Sequence, residues 1–308
     1  LALHGAYKSF IRARSGRGAL ELDTPELKLK FDEQGKVAAL VEYPRNDAHR
    51  LIEECMIAAN VAAARFLDRY KVPTLYRVHG LPELDRLETL RTFLREFGLW
   101  LPPPDEVTPD HLRDLLQKIG DRPDAGLIST AVIRTMPQAV YQPGNIGHFG
   151  LALEHYAHFT SPIRRYPDLV VHRGIRQVLR EGDPQELIEW HGQFPVLGQD
   201  CSFRERRADE ATRSAVAWLK CFYMQERVGE EFDGIVSGVV DFGLFVQLEG
   251  LQVDGLLHVS ALGADYFGRD SSGFRMIGRS SGKIFRLGDR LRVRVTNVSL
   301  DDRRVDFE

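Results

Sequence analysis

The feature that most constrains the fold is a change of sequence pattern near Val228. Before it, apolar residues recur at helical spacing over long stretches. After it, short runs of alternating apolar and polar residues are separated by glycines, at 232–239, 243–247, 255–259, 290–298 and 303–307. Five short strands joined by glycine turns predict a small closed barrel. The sequence therefore predicts an α+β chain, with a mainly helical portion at residues 1–227 and an all-β module at residues 228–308.

Composition limits the classes of function. Of 308 residues, 43% are hydrophobic, which is enough for one large core and a smaller one. The formal net charge of -3 excludes a uniformly basic surface, so any nucleic-acid contact must come from local patches. No apolar run approaches a membrane span, and we expect no membrane partner. Three cysteines without metal-ligand spacing predict reduced thiols and a cytoplasmic location: Cys55, Cys201 and Cys221.

The chain starts at Leu1 rather than at a methionine, and we expect it to begin inside a longer protein. Apolar residues at helical spacing over 3–11 predict the last part of a helix. A short alternating run follows at 19–22. Two further runs, 27–31 and 37–41, are separated by a Gln-Gly turn, which predicts a β-hairpin.

A mostly buried helix is predicted to run from a cap at Asn46 or Asp47 to about residue 70. Three polar side chains interrupt its apolar surface: Glu53, Glu54 and Asn60. Because carboxylates are seldom buried without a partner, the two glutamates are either solvated or in contact with a ligand. Further helices are predicted at 84–97, at 109–119 with Thr108 as its cap, at 123–134, and from 168 to about 179.

The stretch at 147–173, GHFGLALEHYAHFTSPIRRYPDLVVHR, concentrates groups that bind phosphates and bases. Pro162 and Pro167 fix φ and favour extended conformations at the residues before them, so the segment between them is predicted to be rigid. Arg164 and Arg165 offer paired donors to phosphate oxygens. Hydroxyls and aromatic rings lie close in sequence, at Thr160, Ser161, Tyr156, Phe159 and Tyr166. An arginine pair alone would more often be an ordinary solvated feature.

Four histidines of this stretch raise the question of a metal site: His148, His155, His158 and His172. Zinc requires three or four converging ligands, and the proline-rich loop offers no pair at helical i, i+4 spacing. We therefore predict structural or RNA-contacting histidines and no metal ligands.

Two further groups of basic residues could contact RNA. A helix predicted at 198–227 carries the first, and neighbouring acids favour a solvated ion-pair face there. This group is Arg204, Arg206, Arg207 and Arg213. The β module carries the second group, which is Arg269, Arg275, Arg279, Lys283, Arg286, Arg290, Arg292 and Arg294. Within that window only Asp270 and Asp289 oppose them, so one side of the module is predicted to be basic.

The stretch at 147–173 resembles the signature of the RNB exoribonucleases, the ribonuclease II and ribonuclease R family. Two other segments are similar to the same family in the same order, RNDAHRLIEECMIAANVAAARFL at 45–67 and RERRADEATRSAVAWLKC at 204–221. The resemblance covers essentially the whole chain. It implies that residues 1–227 are the C-terminal helical and sheet portion of an RNB catalytic domain, and that residues 228–308 are the all-β OB-fold domain that follows it. Arg164 matches the active-site arginine of the family.

The same resemblance implies RNA contacts near Arg164 and on the helix at 46–70. It favours a contact from one of the two glutamates to the 3′-terminal nucleotides. The implied RNA-binding residues of this portion are Glu53, Glu54, Asn60, Thr160, Ser161, Arg165 and Tyr166.

The segment VSGVVDFGLFVQLEGLQVDGLLHVSAL at 236–262 resembles the S1-type RNA-binding module, which is an OB-fold barrel. Phe242, Phe245 and His258 match the RNA-facing positions of that module. Exposed aromatic rings beside basic residues would form a platform for single-stranded RNA. Strand alternation alone leaves a second possibility for Phe245, which is a place in the barrel core.

The resemblance implies Mg²⁺-dependent hydrolysis of RNA from its 3′ end, with release of nucleoside monophosphates. Arg164 would supply a cation for the charge that develops on phosphorus. The metal-binding aspartate cluster of the family lies upstream of the region that Leu1 matches, and this sequence contains no aspartate cluster in a glycine-rich loop. We therefore expect Mg²⁺ to be held mainly by residues missing from this chain, and the chain alone to be inactive.

Two functions remain open. In the first, the chain is part of an exoribonuclease that acts on single-stranded RNA 3′ ends, together with the N-terminal portion of the same enzyme. In the second, it acts alone as a non-catalytic module that binds single-stranded RNA. Arg164 favours the first, because a protein that only binds RNA has no use for a catalytic arginine.

Overall fold

The computed structural model describes residues 2–20, 26–43, 45–120, 122, 124–180, 191–270 and 273–308. Within these ranges the helices are α1 Ala2–Gly16, α2 Asp47–Arg69, α3 Leu84–Glu96, α4 Pro109–Ile119, α5 Ala125–Thr135, α6 Tyr166–Leu179 and α7 Phe194–Gln225. The strands are β1 Glu26–Phe31, β2 Val37–Tyr43, β3 Tyr76–Val78, β4 Val140–Gln142, β5 Glu231–Val240, β6 Gly243–Leu248, β7 Asp254–His258, β8 Phe267–Arg269, β9 Arg275–Gly278, β10 Ile284–Arg286, β11 Arg290–Ser299 and β12 Arg304–Phe307.

The predicted helices are present, with small shifts at their ends. Asn46 caps α2, because its side chain accepts a hydrogen bond from the amide of His49. α6 begins at Tyr166, two residues earlier than predicted, since Pro167 is tolerated in a first helical turn. α7 also begins earlier, at Phe194. Among the described helices, none has both the length and the apolar character to cross a membrane.

The N-terminal strands match the prediction only in part. β1 and β2 pair in an antiparallel hairpin, as expected from the Gln-Gly turn. Ala19 and Leu20 are buried but belong to no strand, and residues 21 and 22 of the predicted run lie outside the described residues.

The helical portion is held together by contacts of α2, α6 and α7 with the β3–β4 pair. α7 lies so close to β4 that a Cβ atom on Gly198 would be 2.5 Å from the carbonyl oxygen of Tyr141. Ser202 of α7 accepts a hydrogen bond from the amide of Tyr141 at 2.9 Å. A buried cluster joins these elements: Ala63, Ala64, Leu67, Tyr76, Val78, Ala157 and Val171. This packing fixes the floor beneath the 147–173 stretch.

The five predicted strands form a closed barrel in the order β11-β12-β7-β6-β5. β12 and β7 pair in parallel, while the other neighbours are antiparallel. At the start of β6, Gly243 is required by a close approach, because a Cβ atom there would be 2.4 Å from the carbonyl oxygen of Leu257. The sequence did not predict β8, β9 and β10, which form a separate three-stranded sheet between β7 and β11 in the chain.

The barrel packs directly on the helical portion. Phe274 lies 4.4 Å from the ring of Phe93 in α3, measured between ring centroids. Arg275 of β9 forms an ion pair with Glu96 at the end of α3. One hydrophobic cluster contains buried residues of both α3–α5 and the barrel. The two predicted portions therefore share a core, and the barrel is held in a fixed position on the helices.

Candidate functional site

The loop that carries Arg164 is a tight turn ahead of α6. The carbonyl oxygen of Ser161 accepts hydrogen bonds from the amides of Arg164 at 3.3 Å and Arg165 at 3.1 Å. The turn leaves Ile163 and Arg164 exposed. No carboxylate among the described residues pairs with the Arg164 guanidinium. Arg164 is therefore presented to solvent as a free cation on a rigid turn, which is the presentation expected of a phosphate-binding group.

A buried carboxylate holds this turn in place. Asp168, in the first turn of α6, has no exposed surface. Its Oδ1 atom accepts hydrogen bonds from the Ser161 amide at 2.7 Å and from Arg165 Nη2 at 2.9 Å. The Arg165 guanidinium thus forms an ion pair with Asp168, whereas the Arg164 guanidinium has no such partner among the described residues. RNA contact by Arg165 and Ser161 stays a prediction, and the structure gives both residues a role in shaping the turn.

Three polar atoms of the turn are buried and have no hydrogen-bond partner among the described residues: Thr160 Oγ1, Arg165 Nε and Asp168 Oδ2. The Thr160 hydroxyl is buried in this structure, and RNA contact by it stays a prediction. Tyr166 is different, because 40% of it is exposed and the guanidinium of Arg173 lies 5.8 Å from its ring centroid. Tyr166 can therefore present a ring to a base.

The predicted stacking role of Tyr156 is wrong. Its ring is buried and packs edge-on against His148 and His158, with centroids 5.2 Å and 5.7 Å apart. Phe159 stacks on His172 at 4.2 Å, and both side chains are partly exposed. The Tyr156 ring therefore supports the loop, while a base contact by Phe159 stays a prediction.

The histidines beneath the loop make contacts within the protein, which agrees with the structural one of the two roles predicted for them. Burial, with nearby positive charge, lowers the pKa of His148 to about 3 and that of His158 to about 2. Both imidazoles are therefore neutral near pH 7. His158 Nδ1 lies 2.8 Å from the Tyr141 hydroxyl, and His172 Nε2 lies 2.9 Å from the carbonyl oxygen of Phe159. Within the described residues, no three His, Cys, Asp or Glu side chains are grouped to hold a metal ion.

The polar residues of α2 have separate environments. Asn60 is buried, donates to the Tyr156 hydroxyl at 3.1 Å and accepts from the Phe159 amide at 2.9 Å. These two hydrogen bonds join α2 to the support of the loop. An RNA contact by the Asn60 amide stays a prediction. Glu53 is half-exposed and pairs with Arg45.

Glu54 lies in a cleft between α1 and α2. It is 4% exposed and accepts a hydrogen bond from Arg14 Nη1 at 2.6 Å. The cleft has a volume of about 560 Å³ and is also lined by Arg17, whose Nη2 atom is buried without a partner among the described residues. Burial lowers the pKa of Arg17, and the nearby carboxylate of Glu54 opposes that effect. Of the two glutamates, Glu54 is the one that faces a cavity.

The aromatic face of the barrel agrees with the prediction. Phe242 is 51% exposed and Phe245 is 37% exposed, and their rings lie 6.5 Å apart at 82°. His258 is exposed at the end of β7, directly opposite Gly243 of β6. We call Phe242, Phe245 and His258 the aromatic face. Because Phe245 points outward, the alternative that placed it in the barrel core is wrong.

Half of the predicted basic side of the barrel is neutralised, because Arg275, Arg290, Arg292 and Arg294 pair with carboxylates. Arg292 pairs with Glu231 at 3.1 Å and Asp233 at 3.3 Å, and Arg294 pairs with Glu231 at 2.9 Å. The acids lie on β5, directly across from these arginines of β11. The charge count over residues 269–294 did not include Glu231 and Asp233, because these acids are about sixty residues away in the chain.

Two positioning groups were missed by the sequence reasoning. Asp168 carried only the weak signal of an acid in a first helical turn, which indicates a helix start but not burial. Arg77 donates to Glu205 of α7 at 2.6 Å, and its guanidinium lies 4.7 Å from the ring centroid of Tyr141. No local pattern links residues 128 positions apart. Arg204, also on α7, pairs with Asp200, so an ion pair is seen for one of the four arginines of this helix, and with an acid other than those the sequence suggested.

Comparison with protein-family models gives two matches. The RNB domain model matches residues 1–181, and the S1 RNA binding domain model matches residues 225–308. The S1 match coincides with the five-stranded barrel and its added sheet.

Relatives align over nearly the whole chain. Ribonuclease R of Escherichia coli strain K12 is 47% identical over 99% of this chain and 38% of its own length. Ribonuclease R of Vibrio cholerae is 48% identical, also over 99% of this chain and 38% of its own length. The chain therefore spans well under half the length of these relatives.

Solved structures show the same fold. The apo form of Mycoplasma genitalium RNase R matches with a TM-score of 0.93 and 25% identity, over 98% of this chain and 48% of that chain. The same enzyme in complex with ribose methylated single-stranded RNA also matches with a TM-score of 0.93. Yeast Ssd1, a pseudonuclease, matches at 0.58 and 25% identity over 70% of this chain and 27% of that chain. Because the RNB model covers more than half of the sequence and the relatives align over nearly all of it, the chain belongs to the RNB family and is similar to its ribonuclease R members.

Proposed function

We propose that this chain is part of a hydrolytic exoribonuclease that degrades RNA from the 3′ end to nucleoside monophosphates. The observation that carries the proposal is the free, exposed guanidinium of Arg164 on a turn held by buried Asp168. The turn fixes the backbone of Arg164, and its planar guanidinium can donate two hydrogen bonds to phosphate oxygens with less side-chain entropy lost per bond. Its contribution to catalysis is greatest when negative charge builds up at phosphorus.

The residues of this chain divide the work by position. Arg164 binds the phosphate, Asp168 fixes the turn through Ser161 and Arg165, and Tyr166 offers a ring to a neighbouring base. The aromatic face binds single-stranded RNA further from the reacting bond. Stacking on such rings supports affinity without sequence preference, which suits an enzyme that must accept every nucleotide.

Hydrolysis in this proposal depends on Mg²⁺, which supplies an activated water when bound. Within the described residues, the side chains do not fit a Mg²⁺ site, since no three carboxylate, imidazole or thiol groups lie together. We propose that the metal is held by carboxylates of the N-terminal portion of the same enzyme. The chain alone should then bind RNA without cleaving it. Its three free cysteines suit the reducing cytoplasm, which we propose as its location.

A second candidate function is binding of single-stranded RNA without catalysis. The similarity to yeast Ssd1, a pseudonuclease, is the observation that favours it, since this fold also occurs in a protein of that description. On this alternative the aromatic face and the free Arg164 would serve affinity alone.

The deciding experiment compares RNA binding and RNA cleavage. The purified chain is incubated with Mg²⁺ and a 3′-labelled oligoribonucleotide, with and without the N-terminal portion of a ribonuclease R. We expect binding by the chain alone and release of labelled mononucleotide only after the N-terminal portion is added. An Arg164→Ala chain is the matched control and should not support release. Sustained release by the chain alone would contradict the proposed metal arrangement, and no release in either mixture would favour the binding-only function.

A further inference from the structure

The three-stranded sheet β8–β10 carries a rigid, exposed turn. The turn joins β9 to β10 and consists of residues 279–283, all of which are exposed. Asp265 holds it, because its carboxylate accepts hydrogen bonds from the amides of Ser280 at 3.1 Å and Ser281 at 2.8 Å. The Ser281 hydroxyl donates to the same carboxylate at 2.5 Å. We call residues 279–283 the β9–β10 turn.

An aromatic ring is fixed against this turn. Tyr266 follows Asp265 and is 63% exposed. The guanidinium of Arg279 lies 4.3 Å from the Tyr266 ring centroid, and the Arg279 amide donates to the Tyr266 carbonyl oxygen at 2.9 Å. A cation over one face fixes the ring while most of the side chain stays accessible. This ring is therefore already ordered before any ligand binds.

Positive charge on the β module differs sharply between its two sheets. On β11, Arg290, Arg292 and Arg294 all pair with carboxylates. On the added sheet, four exposed cations have no carboxylate partner among the described residues: Arg269, Arg279, Lys283 and Arg286. Two of them, Arg279 and Lys283, begin and end the β9–β10 turn. Two exposed cations without an ion-pair partner among the described residues therefore flank the turn held by Asp265, and Arg279 lies against the ring of Tyr266.

We propose that Tyr266, Arg279 and Lys283 form a second contact site for single-stranded RNA, in addition to the aromatic face. A base stacks on the Tyr266 ring, and neighbouring phosphates lie near the two cations. Single-stranded nucleic acid fits best because it alone combines flat bases with a repeated negative charge, and its free bases can reach a single exposed ring. This inference rests on the proposed function, since it deepens the RNA binding of the same module.

Equilibrium binding of the whole chain to a fluorescent single-stranded oligouridylate tests the site. Tyr266→Ala should weaken binding by about 5- to 100-fold at fixed salt, the range expected for one lost stacking contact. Tyr266→Phe keeps the ring and should bind like the parent chain. Thermal unfolding of both variants shows whether the turn is still folded.

Salt dependence supplies an independent measurement on Lys283, an exposed cation whose Nζ lies 4.5 Å from the ring centroid of Phe285. Lys283→Gln should reduce the slope of log affinity against log salt by about 0.7, the loss of one phosphate contact on a single strand. Arg292→Gln is the matched control, because its charge is already neutralised, and it should leave the slope nearly unchanged.

The outcomes separate this inference from the proposed function. Parent-like affinity of Tyr266→Ala together with a parent-like salt slope of Lys283→Gln would overturn the second site, while a loss in Phe242→Ala would still support RNA binding by the barrel. If the parent chain does not bind the oligouridylate at low salt, both the inference and the RNA-binding part of the proposed function fail.

Discussion

The Arg164 turn and the aromatic face of the barrel present their functional groups in two different ways. Arg164 lies on a turn whose shape depends on a buried carboxylate, Asp168, and this turn leads into a helix, α6, that packs on α2 and α7. Phe242, Phe245 and His258 lie on or beside paired strands, where register alone decides which side chains point outward. The catalytic candidate thus depends on distant contacts, whereas the RNA platform depends on local alternation. Substitutions behind the two sites should therefore have unequal effects.

The largest effect is expected for Asp168→Ala. The substitution leaves the Ser161 amide without its acceptor and the partly buried Arg165 without its carboxylate, so the free energy of unfolding should fall by about 3 kcal/mol. Urea unfolding measures the loss. Asp265→Ala, which removes a more exposed carboxylate from a turn of the barrel module, is the control and should cost clearly less. Equal losses would remove the contrast between the two regions.

Arg164→Lys should come next, in an enzyme that also carries the upstream carboxylates. Lysine keeps the charge but not the planar pair of donors, so single-turnover hydrolysis should slow by about 10²–10³-fold while RNA affinity changes little. Arg165→Lys is the matched control, since its ammonium can still pair with Asp168, and it should slow hydrolysis less. A larger rate loss in Arg165→Lys would show that the catalytic arginine is Arg165 and not Arg164.

The pH dependence of stability should reveal the buried histidines of the helical portion. His148 and His158 are neutral in the folded protein, with pKa values of about 3 and about 2, whereas an unfolded histidine titrates near 6.5. Below pH 6.5 the unfolded state binds more protons, so stability falls as pH is lowered toward 3. Each histidine contributes a slope of about 1.4 kcal/mol per pH unit.

Urea unfolding between pH 7 and pH 5 measures that slope. His158→Gln should lower the slope by about 1.4 kcal/mol per pH unit, because the contribution of His148 remains. A flat stability profile over this range would show that the two imidazoles are not buried as neutral groups.

The smallest effect is expected for Phe242→Ala on the aromatic face. Affinity for single-stranded RNA should fall by about 1–3 kcal/mol at fixed salt, because one stacking contact is lost. The fold should be unaffected, since Phe242 is about half-exposed and does not belong to the hydrophobic core cluster of the described residues. Fluorescence anisotropy measures the affinity, and near-identical thermal unfolding confirms the fold. Parent-like affinity would exclude Phe242 from the RNA contact.

Much of the fold follows from sequence pattern because it depends on neighbours in the chain. The helices α2 to α4 and the five barrel strands match their predicted positions closely, since apolar period and turn residues are local signals. The sheet β8–β10 was missed, because its strands have only three or four residues and show little alternation. The outward position of Phe245 needed the observed register.

The sequence by itself determined the family resemblance, the position of Arg164 and the order of the elements. Only the tertiary structure decided which charges are free. Pairing of β11 with β5 places Glu231 opposite Arg294 and Asp233 opposite Arg292, which neutralises arginines that look unopposed in the sequence. Folding also buries Asp168 beneath the Arg164 turn. Coulomb energy depends on distance in space and on burial, and neither quantity can be obtained from separation along the chain.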